Sequence, residues 1–165
     1  SAVSRGLGDV YKRQGVGFEF SLACDFRIVT KDSQLSLPEM KIGMIPGSGG
    51  SARLAKMIGI SRTKNIIMRG KRLSGEEAYQ LGIACEIVEK SELENMTKKI
   101  VKELISVSPL AQRTIKSVLN ATQNATLHTS IDLEGEAYGR LRSSNDFKEG
   151  VESFSEKRRP SYKGN

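Results

Sequence analysis

The rhythm of apolar and polar positions changes part-way along the chain. From Gly15 the apolar runs are short and bounded by turn residues. Gly15-Val16-Gly17 reads as a loop, followed by Phe18-Glu19-Phe20-Ser21-Leu22-Ala23, an apolar run around one acid. The β-formers of 26–29 predict a strand. Lys31-Asp32-Ser33 is turn chemistry, and 34–37 predicts a second strand ended by Pro38. A glycine-rich loop, Ile45-Pro46-Gly47-Ser48-Gly49-Gly50, precedes a helix predicted over 51–58 and stopped by Gly59. A further helix is expected over 61–68. Ser74-Gly75-Glu76-Glu77 fits a capping box, so Ser74 should open a helix that ends at Gly82, with a strand at 83–88 beyond it.

Later the period becomes helical. Ser91-Glu92-Leu93-Glu94 fits a second capping box, and Met96, Ile100 and Leu104 then recur at helical spacing beside Val101 and Val107. Pro109 suits the first turn of the next helix, with Ile115, Val118 and Leu119 expected on its inner face. Further helices are expected over 127–141 and 146–154. The pattern is mixed α/β early and all-helical late. Residues 1–14 share neither rhythm and read as poorly structured or foreign sequence.

Composition narrows the class. A chain of 165 residues suits one domain. With 38% hydrophobic and 27% charged residues it reads as globular rather than disordered. No apolar run approaches the roughly 20 residues needed to cross a bilayer, so membrane insertion is not expected. Cys24 and Cys85 stand in apolar surroundings without metal-ligand spacing, and are expected as buried thiols in a reducing compartment. The net charge of +7 favours anionic partners. Much of it lies in Lys157-Arg158-Arg159 and Lys163, either a solvated tail or a patch for phosphates.

Two acids stand out. Glu19 lies one residue past a glycine loop among apolar neighbours, a setting that suits proton transfer near neutrality. Glu39 follows Leu37-Pro38. Taken singly, each is equally an ordinary acid at a helix start. Glycines before a helix let a substrate approach backbone N–H groups, which suit a phosphate or an oxyanion. Neither glycine loop is a dinucleotide fingerprint or a phosphate-binding P-loop. His128, the single histidine, reads as a surface or satisfied residue, which argues against serine catalysis.

Taken together, the segments resemble the crotonase (enoyl-CoA hydratase/isomerase) family. The likeness runs from Gly15 to Tyr162. It is carried by the glycine segment closing on Ala23-Cys24-Asp25, by Leu37-Pro38-Glu39 through Gly50, by the stretch from Gly70 to Gly82, and by Glu149-Gly150 with Phe154-Ser155-Glu156-Lys157-Arg158. The resemblance implies an α/β fold, the crotonase-like ββα spiral, with residues 15–88 as the C-terminal part of its core and 89–165 as a helical region for trimerisation. It implies an enoyl-CoA hydratase in which Glu19 activates water and Glu39 delivers a proton to the α-carbon. The Val16 N–H would be one oxyanion donor, and Gly15, Gly17 and Gly47 would lie against substrate and water. Tyr138, Phe154 and Lys157 would line the coenzyme A site. No permanently bound cofactor is implied, since coenzyme A arrives as part of the thioester.

Family members extend roughly a hundred residues further on the N-terminal side, the scale of a complete domain. The resemblance therefore implies a truncated chain, with residues 1–14 a non-family leader of artefactual character. An isomerase relying on Glu39, or a non-catalytic fragment that binds coenzyme A or self-associates, are the alternatives. A homotrimer or a pair of trimers is expected, in the cytoplasm or, for a eukaryote, the mitochondrial matrix. Nucleic acid is not an expected partner, because no aromatic stacking motif accompanies the charge.

Overall fold

The computed structural model describes residues 12–165. They divide into two compact units, one running through Thr97 and one from Lys98.

The first unit is built on short strands. β1 (Lys12–Gln14) pairs parallel with β3 (Gln34–Ser36), and β3 pairs antiparallel with β4 (Arg72–Ser74). A second, two-stranded sheet joins β2 (Ile28–Thr30) in parallel to β5 (Glu86–Val88). The strand at 12–14 departs from the leader expected over 1–14: its backbone adds to the edge of β3. The rest of that leader lies outside the described residues.

Helices cover these strands. α1 (Val16–Leu22) follows Gly15, whose φ of 54° turns the chain sharply out of β1. α2 (Gly50–Ile58) and α3 (Ile60–Met68) flank Gly59, the expected helix stop. α4 (Gly75–Gln80) starts at Ser74 with the full capping box: Ser74 Oγ accepts the Glu77 N–H, and the Glu77 carboxylate accepts the Ser74 N–H. Phe18, Leu22, Leu35, Leu37, Leu54, Ile66, Leu73 and Ile83 form one core between them. The register sets Leu35 opposite Leu73, both buried. Burying each such side chain stabilises by about 1.5–3 kcal/mol, which is what holds strands of only three residues.

The second capping box does not form. Lys90–Glu92 is a 3-10 turn that takes up Ser91, and α5 (Leu93–Ile105) begins after it. Met96, Ile100 and Leu104 are the half-buried stripe of α5, as their spacing predicts.

The second unit holds α6 (Pro109–Thr122), α7 (Leu127–Arg142) and α8 (Asn145–Ser155). Each has a hydroxyl at its N-cap: Ser108, Thr126 and Ser144 accept N–H groups of Ala111, Thr129 and Phe147. Pro109 takes the first helical position, where its missing N–H costs nothing. Val118 is half-buried, but Ile115 and Leu119 are exposed, a correction to the expected inner face. Both cysteines are exposed as well. Cys24 follows the end of α1 and Cys85 precedes β5, so both lie in the connections at the ends of elements rather than on a packed face. His128 lies exposed beside Asp132 one helical turn on.

No described helix is long and apolar enough to cross a membrane.

Candidate active site

Gly15 is the joint of the site. Its N–H donates to the Ser36 carbonyl at 3.0 Å, and its carbonyl accepts the Glu19 N–H at 3.0 Å. Glu19 sits in the first turn of α1, as an ordinary helix-start acid would. Its side chain is only 2% exposed, so the solvent-facing alternative does not hold. A buried carboxylate needs partners. Oε1 accepts two, the N–H groups of Ser48 and Gly50, each at 2.9 Å. The glycine-rich loop thus spends N–H groups on Glu19, whereas the sequence pattern suggests donors for a substrate anion.

Glu39 opens a 3-10 turn, Glu39–Ile42, entered from Pro38 and left through Gly43 at φ 75°. It comes back to Gly15: Oε1 stands 2.8 Å from the position a β-carbon there would take. Its other oxygen, Oε2, is buried and has no hydrogen-bond partner among the described residues. An unsatisfied buried carboxylate oxygen costs free energy and calls for a partner that the described residues do not supply.

Val16 is the first residue of α1 and exposed. The first N–H groups of a helix have no partner inside it. Gly17 is buried, Gly15 half-buried, and Gly47 exposed in open space. An apolar cleft of about 390 Å³ is lined by Phe18, Phe20, Phe26, Leu35, Ile83 and others. Neither glutamate lines it, and the two buried carboxylate oxygens, Glu19 Oε1 held by the loop and Glu39 Oε2 without a described partner, mark the site better than the volume does.

The model of the enoyl-CoA hydratase/isomerase family matches residues 12–165. This chain belongs to that family.

It is 32% identical to a short-chain-enoyl-CoA hydratase of Clostridium acetobutylicum over 88% of this chain and 56% of the relative. It is 34% identical to an enoyl-CoA isomerase/hydratase of Mycosarcoma maydis, over 91% of this chain and 55% of that protein. The crystal structure of an enoyl-CoA hydratase from Bacillus anthracis superposes with a TM-score of 0.91 at 38% identity, covering 93% of this chain and 60% of that one. The fold is therefore the crotonase fold expected from the motifs. The chain spans a little over half the length of these relatives.

These relatives are named for enoyl-CoA, so the placement of the three residues expected at coenzyme A bears on the reading. Tyr138 on α7 and Phe154 on α8 line one open pocket of about 550 Å³ in the second unit. Arg142 stacks over the Tyr138 ring at 5.9 Å, and Phe154 is 88% exposed. Lys157 does not line that pocket; it follows α8 with a left-handed φ of 54°. What sequence reasoning missed is the support around Glu19: the Ser48 and Gly50 N–H groups and Arg53, which donates to the Ser48 carbonyl. The glycine spacing was the available signal, but nothing local says which way those N–H groups point.

Proposed function

We propose that this chain carries the acid/base pair of an enoyl-CoA hydratase, which adds water syn across the double bond of a 2-enoyl-CoA thioester. The observation behind this reading is a Glu39 oxygen that is buried and without a hydrogen-bond partner among the described residues, on a carboxylate packed against Gly15, whose carbonyl accepts the backbone N–H of the buried Glu19. A water held between the carboxylates gives Glu39 the partner it lacks.

In the reaction, Glu19 takes a proton from that water through the oxygen the loop does not hold. The water oxygen bonds to the β-carbon, and electron density moves onto the thioester oxygen. The Val16 N–H, at the positive end of α1, stabilises that oxyanion. Glu39 then delivers its proton to the α-carbon. One hydrogen of the water stays in the new hydroxyl and the other rests on Glu19, Glu39 gives up the proton it carried, and proton transfer from Glu19 to Glu39 resets the pair. Gly15 and Gly17 let the substrate come close to the backbone, and Gly47 leaves room at the loop.

Coenzyme A enters as part of the substrate, with Tyr138, Phe154 and Lys157 as its contacts and Lys157 facing a phosphate. The exposed apolar side chains Ile115, Leu119 and Ile131 support assembly into a trimer or a pair of trimers, since such faces need cover.

The test is loss of the ultraviolet absorbance of crotonyl-CoA, followed with this chain alone and with the chain completed by the portion of the Clostridium acetobutylicum relative that it does not span. Glu19→Gln and Glu39→Gln should each lower kcat by about 10²–10⁴-fold. A completed protein that leaves crotonyl-CoA untouched overturns the reading. A Glu19→Gln variant that still shifts an enoyl double bond would favour the isomerase reaction.

A further inference from the structure

We infer that Arg53 is a positioning residue for Glu19, acting through the loop at 48–50. The inference deepens the hydratase reading, but its structural part stands without it.

Two N–H groups that are two residues apart converge on one oxygen, Glu19 Oε1, each at 2.9 Å. That is feasible only if the residue between them turns the chain back. Gly49 does so at φ 86°, ψ 12°, a left-handed conformation. Glycine adopts that conformation readily and leaves it as readily, so the turn needs a lock.

Arg53 grips both sides of Gly49. Its backbone N–H donates to the Gly49 carbonyl at 3.0 Å, as part of the first turn of α2. Its guanidinium Nη1 donates to the Ser48 carbonyl at 2.7 Å. The guanidinium covers Gly49 so closely that a β-carbon there would stand 2.5 Å from Nη1 and 3.2 Å from Cζ. The peptide from Ser48 to Gly49 is therefore held by a charged donor, and its orientation sets where the Ser48 and Gly50 N–H groups aim. Arg53 itself is exposed, so its side chain adds nothing to the core. Its contribution is direction: a Glu19 carboxylate held by one oxygen, with the other left for proton transfer.

The experiment is residue-resolved amide hydrogen exchange on the full chain. Arg53→Ala should strip protection from the Ser48 and Gly50 amides by about tenfold or more, the size of losing a hydrogen bond to a charged group, while the amides of β3 and α4 keep theirs. Arg53→Lys, which retains one charged donor, should restore part of that protection. Gly49→Ala, which collides with the guanidinium, is a second variant and should give the same two-residue signature. Unchanged exchange at Ser48 and Gly50 in Arg53→Ala overturns the inference. So does a uniform loss across the first unit that Arg53→Lys fails to restore, since that is a merely structural role. In a completed protein that hydrates crotonyl-CoA, Arg53→Ala should lower kcat with KM little changed. If that protein is inactive while the exchange signature appears, the hydratase reading fails and the positioning of Glu19 stands.

Discussion

Glu39 occupies the space that a side chain on Gly15 would need. Its Oε1 lies 2.8 Å from that β-carbon position, closer than real β-carbons approach other atoms. The absence of a side chain at residue 15 is thus a condition for the Glu39 carboxylate to reach the site. Gly15→Ala should push Glu39 outward and also strain a backbone at φ 54°. Misplacing a reacting group by about an ångström costs roughly a hundredfold in rate. Crotonyl-CoA kinetics on the completed protein checks this; wild-type kcat in that variant would remove Glu39 from the mechanism.

Gly50 has the same relation to Glu19 from the other side. A β-carbon there would stand 2.7 Å from Glu19 Cγ and 2.8 Å from Oε1. Gly50→Ala raises helix propensity at the start of α2, which taken alone would stabilise. The buried collision should win, with a loss of about 1–3 kcal/mol from overpacking. Urea denaturation of the full chain measures the sign, and a stabilised variant would mean Glu19 can move aside.

The C-terminal segment is tied to α8 by carboxylates. Arg158 meets Glu149 with both terminal guanidinium nitrogens, Nη1 and Nη2, at 2.6 and 3.0 Å, and the Ser161 N–H donates to the same carboxylate. These bonds, the guanidinium first, lower the Glu149 pKa from 4.5 to about 2. A folded value below the unfolded one means the contribution to stability is complete above the unfolded value. It drains away as pH falls toward the folded value. The segment should therefore hold down to pH about 4.5 and loosen between there and pH about 2. Asp146 acts in the same direction: burial opposes its ionisation, but hydrogen bonds from Ser108 and from the Lys163 and Gly164 N–H groups outweigh it. The Ser161 amide resonance followed on acidification reports the release. Glu149→Gln should flatten its titration over that window.

Ser74→Ala removes one half of the capping box that starts α4. The expected cost is about 1 kcal/mol of unfolding free energy. The Glu77 carboxyl, held low first by Lys71 and then by the Ser74 N–H, keeps those partners in the variant, so its pKa should remain below the usual carboxylate value. Chemical denaturation and carboxyl titration by NMR check the two halves of this prediction separately.

How far the sequence could be read depended on the range of each interaction. Gly59 as a helix stop, Ser74 as a cap and Pro109 at a first helical position are settled within four residues, and each sits where its local chemistry put it. Ser91 shows the limit: the same local pattern yields a 3-10 turn, because a capping motif states a preference and not an outcome. Thr126 and Ser144 cap α7 and α8 through equally local chemistry, each hydroxyl accepting an N–H three residues on. The exposure of Ile115 and Leu119 is beyond local reading, because period shows that a helix has an apolar face without showing what meets it.

The same division runs through the site. Order and type of residues along the chain were enough to single out Glu19 and Glu39 and to place the chain among its relatives, since motif spacing is a property of the chain itself. That Glu19 is buried, that its partners are the Ser48 and Gly50 N–H groups, and that Glu39 returns to Gly15 are contacts spanning 29, 31 and 24 residues. Those depend on β1 lying beside β3 and on the turn at Gly49, and no window of sequence contains both ends of such a contact. Local propensity chooses elements; only packing them against one core decides which carboxylate loses water and which N–H groups it meets instead.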